Sequence, residues 1–373
     1  MKKLLCYDDV SLIPNWSNLN GRDDCDVSID FLGDKCKMPI ILAPMTFITS
    51  PEMIYTFWKN NLVTTYHRYW KDAETQYDSL LLGLFYVLSE EEEQREVCLS
   101  KFDDLKTIVP ELYKEQAKEI INSVYFAVGG IKKYKDWIDY LYIKKGIKRF
   151  CIDVANGMTD ECSRTIKYIK SLDDTIKVIA GNYSEKRYLS DCPDAIRVGI
   201  GGGSCCETAQ ATGFYYPSFQ AIIDWNKPPL KCSIIADGGI KNAGDIAKAM
   251  AVGANVVMCG KLFAGTSASN GRSFNKNKEL IVDNEEPIFY KEFQGMASIQ
   301  AKEIAKFKRG SIEGKCGLVP YVGKTQDLIN DIYENLKSSL AYCGAKNWKE
   351  FVHKVEIGEN STFGNVEKNS RLI

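Results

Sequence analysis

The run Gly199-Ile200-Gly201-Gly202-Gly203-Ser204-Cys205-Cys206-Glu207-Thr208 sets thiols, hydroxyls and a carboxylate directly behind four glycines. Glycine tolerates left-handed backbone angles, so such a loop can turn its N–H and C=O groups onto one ligand or ion. A cysteine placed there, at the exit of a strand, suits a nucleophile. The plain alternative is a flexible turn with two incidental cysteines. Asp237-Gly238-Gly239 and Gly260-Lys261 follow further on. Asp237 can accept hydrogen bonds from ribose hydroxyls, the glycines admit a phosphate close to the backbone, and Lys261 adds a donor. Singly, each reads as ordinary turn chemistry. Glycine-bearing loops on three successive strand exits, flanking a cysteine, point instead to a phosphate-anchored sugar ligand. Asn156-Gly157 and Gly181-Asn182 add small polar loops, with plain turns as their alternative.

These loops need a scaffold that brings strand ends together. Apolar runs fall at Pro39–Ala43, Leu62–Tyr66, Val124–Val128, Phe150–Val154, Ile176–Ala180, Ala195–Val198, Ser233–Ala236 and Asn255–Cys259. Most are nearly continuous rather than alternating, as expected of parallel strands covered on both faces. Helical patterns at Tyr134–Lys145, Ser163–Ser171 and Ala243–Val252 lie between them, and Asp327–Tyr342 reads as a final helix. The alternation predicts an α/β fold, a (β/α)8 TIM barrel with its functional groups on the loops after the strands. A doubly wound sheet is the main rival. Residues 71–120, with the acidic run Glu90–Glu93, read as a helical insertion after strand 2. Residues 268–325 read as a long loop excursion, a mobile flap, after strand 8. All of 1–373 is expected to form a single catalytic domain.

Composition narrows the class. With 373 residues, 45% of them apolar, the chain can bury a large core, and a net charge of −1 offers no general attraction to nucleic acid or to anionic membranes. No run approaches the ~18 apolar residues of a membrane span, and Asp8 and Asp9 end the first apolar stretch too early for an export signal. Thirteen cysteines with no CxxC fit a reducing compartment, so a cytoplasmic protein is expected. Only His67 and His353 are present, which leaves little support for a His-based triad or a multi-histidine metal site.

The loop 201–208 resembles the GxGSxCxT loop shared by IMP dehydrogenases and GMP reductases. Further matches run collinearly: Tyr7-Asp8-Asp9-Val10, Ala43-Pro44-Met45, Asp153-Val154-Ala155-Asn156-Gly157, Ala180-Gly181-Asn182, Ala236-Asp237-Gly238-Gly239-Ile240, Val257-Met258-Cys259-Gly260 with Ala264-Gly265-Thr266, Gly295-Met296-Ala297-Ser298, and Glu313-Gly314-Lys315 before Val319-Pro320. Within the family the reductase branch is the closer likeness. Residues 71–120 are too few for the dehydrogenase's regulatory domain pair, and Lys306-Phe307-Lys308-Arg309-Gly310 lacks its water-activating Arg-Tyr pair.

The resemblance implies NADPH-dependent reductive deamination of GMP to IMP and ammonia, through a covalent intermediate on Cys206. Thr208 and Glu313 match the proton-relay positions. Ser204, Gly238, Gly239 and Gly260 would receive the phosphate end, Asp237 the ribose, and Gly295, Met296 and Ala297 the base; Lys261, from outside the family pattern, would add a phosphate contact. Arg68 (where reductases usually have lysine), Asp153, Val154, Ala155 and Asn182 would border NADPH. The carbonyls of Gly201, Gly203 and Cys206 match a site for a monovalent cation, K+. A homotetramer acting on a small purine nucleotide is implied, with no nucleic acid or membrane partner.

The chain departs from the family pattern at Glu207 (usually Thr), Ala209 (Arg), Thr46 (Asp), Phe293 (Tyr) and Lys261 (a small residue). Glu207 sets a carboxylate beside the thiolate, which opposes its charge unless another group screens it. The alternatives are a reductase for a modified or deoxy-guanine nucleotide, an IMP dehydrogenase without the regulatory domain, and an inactive nucleotide-binding paralog.

Overall fold

The eight apolar runs become eight parallel strands: β1 (Ile40–Leu42), β2 (Thr65–Tyr66), β3 (Tyr125–Val128), β4 (Arg149–Asp153), β5 (Lys177–Tyr183), β6 (Ala195–Val198), β7 (Ser233–Asp237) and β8 (Val256–Cys259). The structure is a computed structural model that describes residues 2–89, 111–185, 191–282, 286–296 and 314–369. From β2 onward each strand pairs with the next in the chain, and β8 pairs back with β1. A parallel bridge between Ile41 and Val63, with Leu42 N–H donating to Val63 O at 3.1 Å, joins β1 to the run into β2. The sheet closes on itself as a (β/α)8 barrel, which removes its edges and excludes the doubly wound rival.

Every residue of β1, β3, β6 and β8 is buried. This two-sided burial is why the runs read as continuously apolar. Inward-facing side chains, among them Ile41, Tyr125, Cys151, Ile179 and Ile235, pack with Phe31 and Cys36 into one cluster inside the barrel. Phe31 and Cys36 come from a hairpin, Ile29–Phe31 with Asp34–Cys36, that plugs the N-terminal mouth. Its turn residues Leu32 and Gly33 both have positive φ, 54° and 92°, as a tight two-residue hairpin requires. One mouth is therefore sealed by apolar packing, and the other is left to the loops.

The helices start where capping chemistry places them. Thr159 accepts from Cys162 N–H ahead of Asp160–Leu172, and Asn242 accepts from Asp245 N–H ahead of Ala243–Ala251. The pattern at 134–145 resolves into an α-helix, Ile131–Asp139, continued by a π-helical turn, Tyr140–Lys144. After β2 come helices Ala73–Leu88 and Glu111–Ser123; Glu90–Glu93 lies outside the described residues. The segment 268–325 is not loop throughout. It holds a three-stranded antiparallel sheet of Ser273–Phe274, Tyr290–Gln294 and Cys316–Pro320. The chain ends meet as well, Val10–Ile13 pairing antiparallel with Glu356–Glu359.

Candidate active site

The loop after β6 turns away at Gly199 and Gly201, with φ of 117° and 75°. It returns at an antiparallel bridge in which Ile200 and Tyr216 exchange both backbone hydrogen bonds, at 2.7 and 2.9 Å. Within it Cys206 N–H donates to Gly203 O at 2.9 Å, and Cys206 Sγ lies 3.1 Å from Thr208 Oγ1. The thiol is half-buried at the wall of a cavity of about 600 Å³ on the open mouth of the barrel.

The return strand of the 268–325 segment is stitched to this loop. Lys315 N–H donates to Cys205 O and Gly295 N–H to Lys315 O, both at 2.9 Å, and Cys206 bridges Gly314. A β-carbon at Gly295 would stand 2.6 Å from Cys205 O, so only glycine allows this approach. Glu313 and Ala297 lie outside the described residues, as do Lys306–Gly310.

Beneath the cavity sits a buried charge network. Arg197, 6% exposed, donates to Asp237 Oδ2 through Nε at 3.0 Å and Nη2 at 2.8 Å, and to Asp153 Oδ1 through Nη1 at 2.7 Å. Asn182 Nδ2 donates to the same Asp237 oxygen at 2.8 Å and to Gly199 O at 3.0 Å. Arg68 reaches Asp153 from the other side, Nε donating to its backbone O at 3.1 Å, and donates through Nη1 to the Tyr134 hydroxyl at 3.1 Å. Burial opposes charge on Asp153, but Arg197 and Arg68 outweigh it and hold the carboxyl below the usual carboxylate range. Burial also opposes charge on Arg197, and the two aspartates more than offset it. Gly181 makes room for this arginine, since a β-carbon there would stand 2.4 Å from Arg197 Cβ.

Around that floor the expected residues assemble on one wall or another. Gly238 and Gly239 follow β7 with φ of 90° and 85°. A β-carbon at Gly238 would come within 3.1 Å of the Gly202 backbone, so the β6 and β7 loops meet glycine to glycine. Ser204, Gly260 and Lys261 complete that side, and Gly295 and Met296 line it from the end of Tyr290–Gln294. On the opposite side Arg68, Tyr69, Asp153, Val154, Ala155 and Asn182 line the same cavity. Apart from Asn156-Gly157, every candidate residue among the described ones is therefore on one cavity. Asn156-Gly157 is not on the lining; it supports β5, Gly157 N–H donating to Asn182 O at 2.7 Å.

Several departures from the family pattern acquire a location. Glu207 is not on the cavity wall and pairs with Lys315 at 3.0 Å. Thr46 N–H meets Met296 Sδ at 3.3 Å, and Phe293 is buried on the cavity wall. His67 is buried against Trp70, and burial pushes its pKa down to about 3, so it is neutral. The described cysteines are all free, and no cluster of three His, Cys, Asp or Glu among the described residues could hold a metal. Arg197 is the residue that sequence reasoning passed over, having read it as part of an apolar strand. The available signal was a single arginine inside Ala195–Val198, where burial demands a partner.

A family profile described as "IMP dehydrogenase / GMP reductase domain" matches residues 4–371. The chain is 31% identical over 371 residues to a GMP reductase of Enterococcus faecalis, covering 97% of this chain and 98% of the relative. A GMP reductase of Staphylococcus carnosus is 30% identical over 370 residues, covering 97% and 98%. One of Lactobacillus gasseri is 30% identical over 350 residues, covering 91% and 90%. These likenesses run through the barrel, the cysteine loop and the return strand alike, and on them the chain belongs to the IMP dehydrogenase / GMP reductase family.

Proposed function

We propose that the protein reduces GMP to IMP and ammonia with NADPH as the hydride donor. The observation that carries this reading is the Cys206–Thr208 contact at 3.1 Å, on the wall of one cavity that Gly238, Gly239 and Gly260 also line together with Arg68 and Asp153–Ala155. About 600 Å³ lies within the range of sites that enclose small ligands.

The Cys206 thiolate attacks C2 of the purine, an S–C2 bond forms, and the C2–N bond breaks as the amine takes up a proton and leaves as ammonia. Thr208, 3.1 Å from the sulfur, is the proposed relay of that proton, with Glu313 as the proposed carboxylate paired with it. NADPH, when bound, supplies one hydride to C2. The S–C2 bond then breaks and the thiolate is restored, which is why a soft, good leaving group is needed. With two protons taken up, GMP and NADPH become IMP, ammonium and NADP+.

The far wall fits a flat, polar cofactor ring. Ala155 leaves space, Asp153 and Asn182 present polar groups, and Arg68 stacks over Tyr69 at 4.9 Å. Gly201, Gly203 and Cys206 are the proposed carbonyl ligands of a potassium ion; Gly203 O, already accepting from Cys206 N–H, keeps one lone pair for it. A cytoplasmic homotetramer is the proposed working form.

NADPH absorbance loss with purified protein and GMP tests the reaction, with IMP and NAD run in parallel. Cys206→Ala is expected to abolish turnover and retain GMP binding. Turnover only with IMP and NAD would replace this reading with the dehydrogenase. A second reading, reduction of a modified or deoxy-guanine nucleotide, is favoured by the Thr46–Met296 contact beside the proposed base position. It predicts faster turnover with such a nucleotide than with GMP.

A further inference from the structure

The N-terminal motif Tyr7-Asp8-Asp9-Val10 takes no part in the chemistry above, yet it is built into the floor of the glycine-rich end. Tyr7 is 3% exposed and packs edge-on against Phe219, with ring centroids 5.4 Å apart. Its hydroxyl lies 3.0 Å from Ser218 Oγ, and Ser218 Oγ lies 2.6 Å from Gly238 O. A serine carries one hydrogen and a carbonyl can only accept. Ser218 therefore donates to Gly238, and the Tyr7 hydroxyl donates to Ser218.

Packing fixes the same loop from below. A β-carbon at Gly239 would stand 3.2 Å from the Tyr7 ring, so the ring fills the space under the loop. Ser218 is also wedged against the β6 exit, where a β-carbon at Gly199 would stand 2.8 Å from Ser218 Cβ. Ser218 thus ties together the β6 loop, the β7 loop and the N-terminus.

The N-terminus is itself held from outside. Lys248 Nζ donates to Tyr7 O at 2.8 Å, and Asp8 pairs with Lys241 at 2.5 Å, immediately beyond Gly239-Ile240. From the C-terminal segment, Asn360 and Lys368 both donate to Asp8 O, at 3.0 and 2.9 Å.

We propose that Tyr7 and Ser218 are positioning residues that set the Gly238-Gly239 backbone for the phosphate of the nucleotide. The identity of that ligand rests on the functional reading above. Two consecutive residues with positive φ have many other conformations open to them, and glycine gives no side chain to choose among them. The Tyr7–Ser218–Gly238 chain supplies the choice. It acts on one carbonyl of the loop, and through it on the direction of the N–H groups that follow.

The test is calorimetric binding of GMP and guanosine to the full chain and to its Tyr7→Phe and Ser218→Ala variants. Tyr7→Phe keeps the ring and removes one hydrogen bond, so it reports on position with little change in packing. Losing one such bond corresponds to about a three- to tenfold effect. The GMP dissociation constant is expected to rise by that factor in each variant while that for guanosine stays level. The double variant should be little worse than either, because both break one chain. Unchanged GMP affinity in Tyr7→Phe would overturn the proposal, and so would an equal loss for GMP and guanosine. NADPH turnover on the unaltered chain is read separately. GMP binding without turnover would retire the reductase reaction and leave the positioning role intact, whereas no binding of GMP would overturn both.

Discussion

Arg197 holds Asp237 through two nitrogens, at 3.0 and 2.8 Å, and both fall on the same oxygen, Oδ2. Asn182 adds a third donor to that oxygen at 2.8 Å. The carboxylate is pinned from one side, which leaves Oδ1 for the proposed contact with the ribose. The third guanidinium nitrogen holds Asp153 at 2.7 Å, so one buried cation orients a group on each side of the cavity.

Removing that cation should be costly. Arg197→Met removes the buried partner shared by two partly buried carboxylates, a loss of up to about 3 kcal/mol. Arg197→Lys keeps the charge but not the planar fork, so it should retain more stability while still losing activity. The pH dependence has a definite sign. The folded pKa of Asp153 is depressed, so its contribution is present above the ordinary carboxylate pKa near 4 and is lost as pH falls through the lower, folded value. Melting curves from pH 7 down to pH 3 check both points. An Arg197→Met protein that melts with the unaltered one at pH 7 would refute the account.

Lys261 differs from the other cations on the cavity wall. Arg68 and Arg197 are paired with aspartates and Lys241 with Asp8, whereas Lys261 has no ion pair or hydrogen bond among the described residues. An amine left free beside Gly260 suits a phosphate. Lys261→Ala is expected to raise the KM for GMP about tenfold at low salt, with the gap shrinking as ionic strength rises. Equal KM values for the two proteins at low salt would remove Lys261 from the phosphate site.

The barrel was legible because strands covered on both faces must be apolar at nearly every position, and most of the eight runs stand out for that reason. The small antiparallel pieces do not share that property. Tyr290–Gln294 carries Lys291, Glu292 and Gln294, buried in the structure but polar in the sequence, so no run announced a strand. Val10–Ile13 and Glu356–Glu359 are far apart in the chain and find each other only after folding. The site was legible at its glycines and its cysteine, whose types already imply backbone approach and nucleophilic chemistry. Arg197 was hidden because strand patterning reports burial, and a buried ion network looks like an interruption until its partners Asp153 and Asp237 are brought alongside.

Glu207 and Lys315 form a pair between the cysteine loop and the return strand, 25% and 65% exposed. Such a pair contributes at most about 1 kcal/mol to folding, so Glu207→Gln and Lys315→Ala should melt close to the unaltered protein. Their effect on Cys206 should diverge. Lys315→Ala leaves a carboxylate unscreened beside the thiolate and should slow alkylation by iodoacetamide, whereas Glu207→Gln should not slow it. Equal slowing in both variants would mean that the pair acts through loop geometry rather than charge.

His67 offers no acid–base chemistry at neutral pH but should shape acid stability. Its ring stacks on Trp70 with centroids 5.1 Å apart, and Nδ1 accepts from Tyr69 N–H at 3.3 Å. Burial depresses its pKa to about 3, against about 6.5 in the unfolded chain. The stability this represents is complete above that unfolded value and drains away as pH falls from about 6.5 toward 3, because the unfolded state takes up a proton first. One such group gives a slope of up to about 1.4 kcal/mol per pH unit. Urea midpoints measured between pH 7 and pH 4 should therefore fall steeply for the unaltered protein. His67→Gln loses the stacked ring and starts lower at pH 7, yet its midpoint should fall less over the same range. If both proteins lose stability in parallel between pH 6.5 and 4.5, above the carboxylate range, the buried imidazole is not the group that titrates.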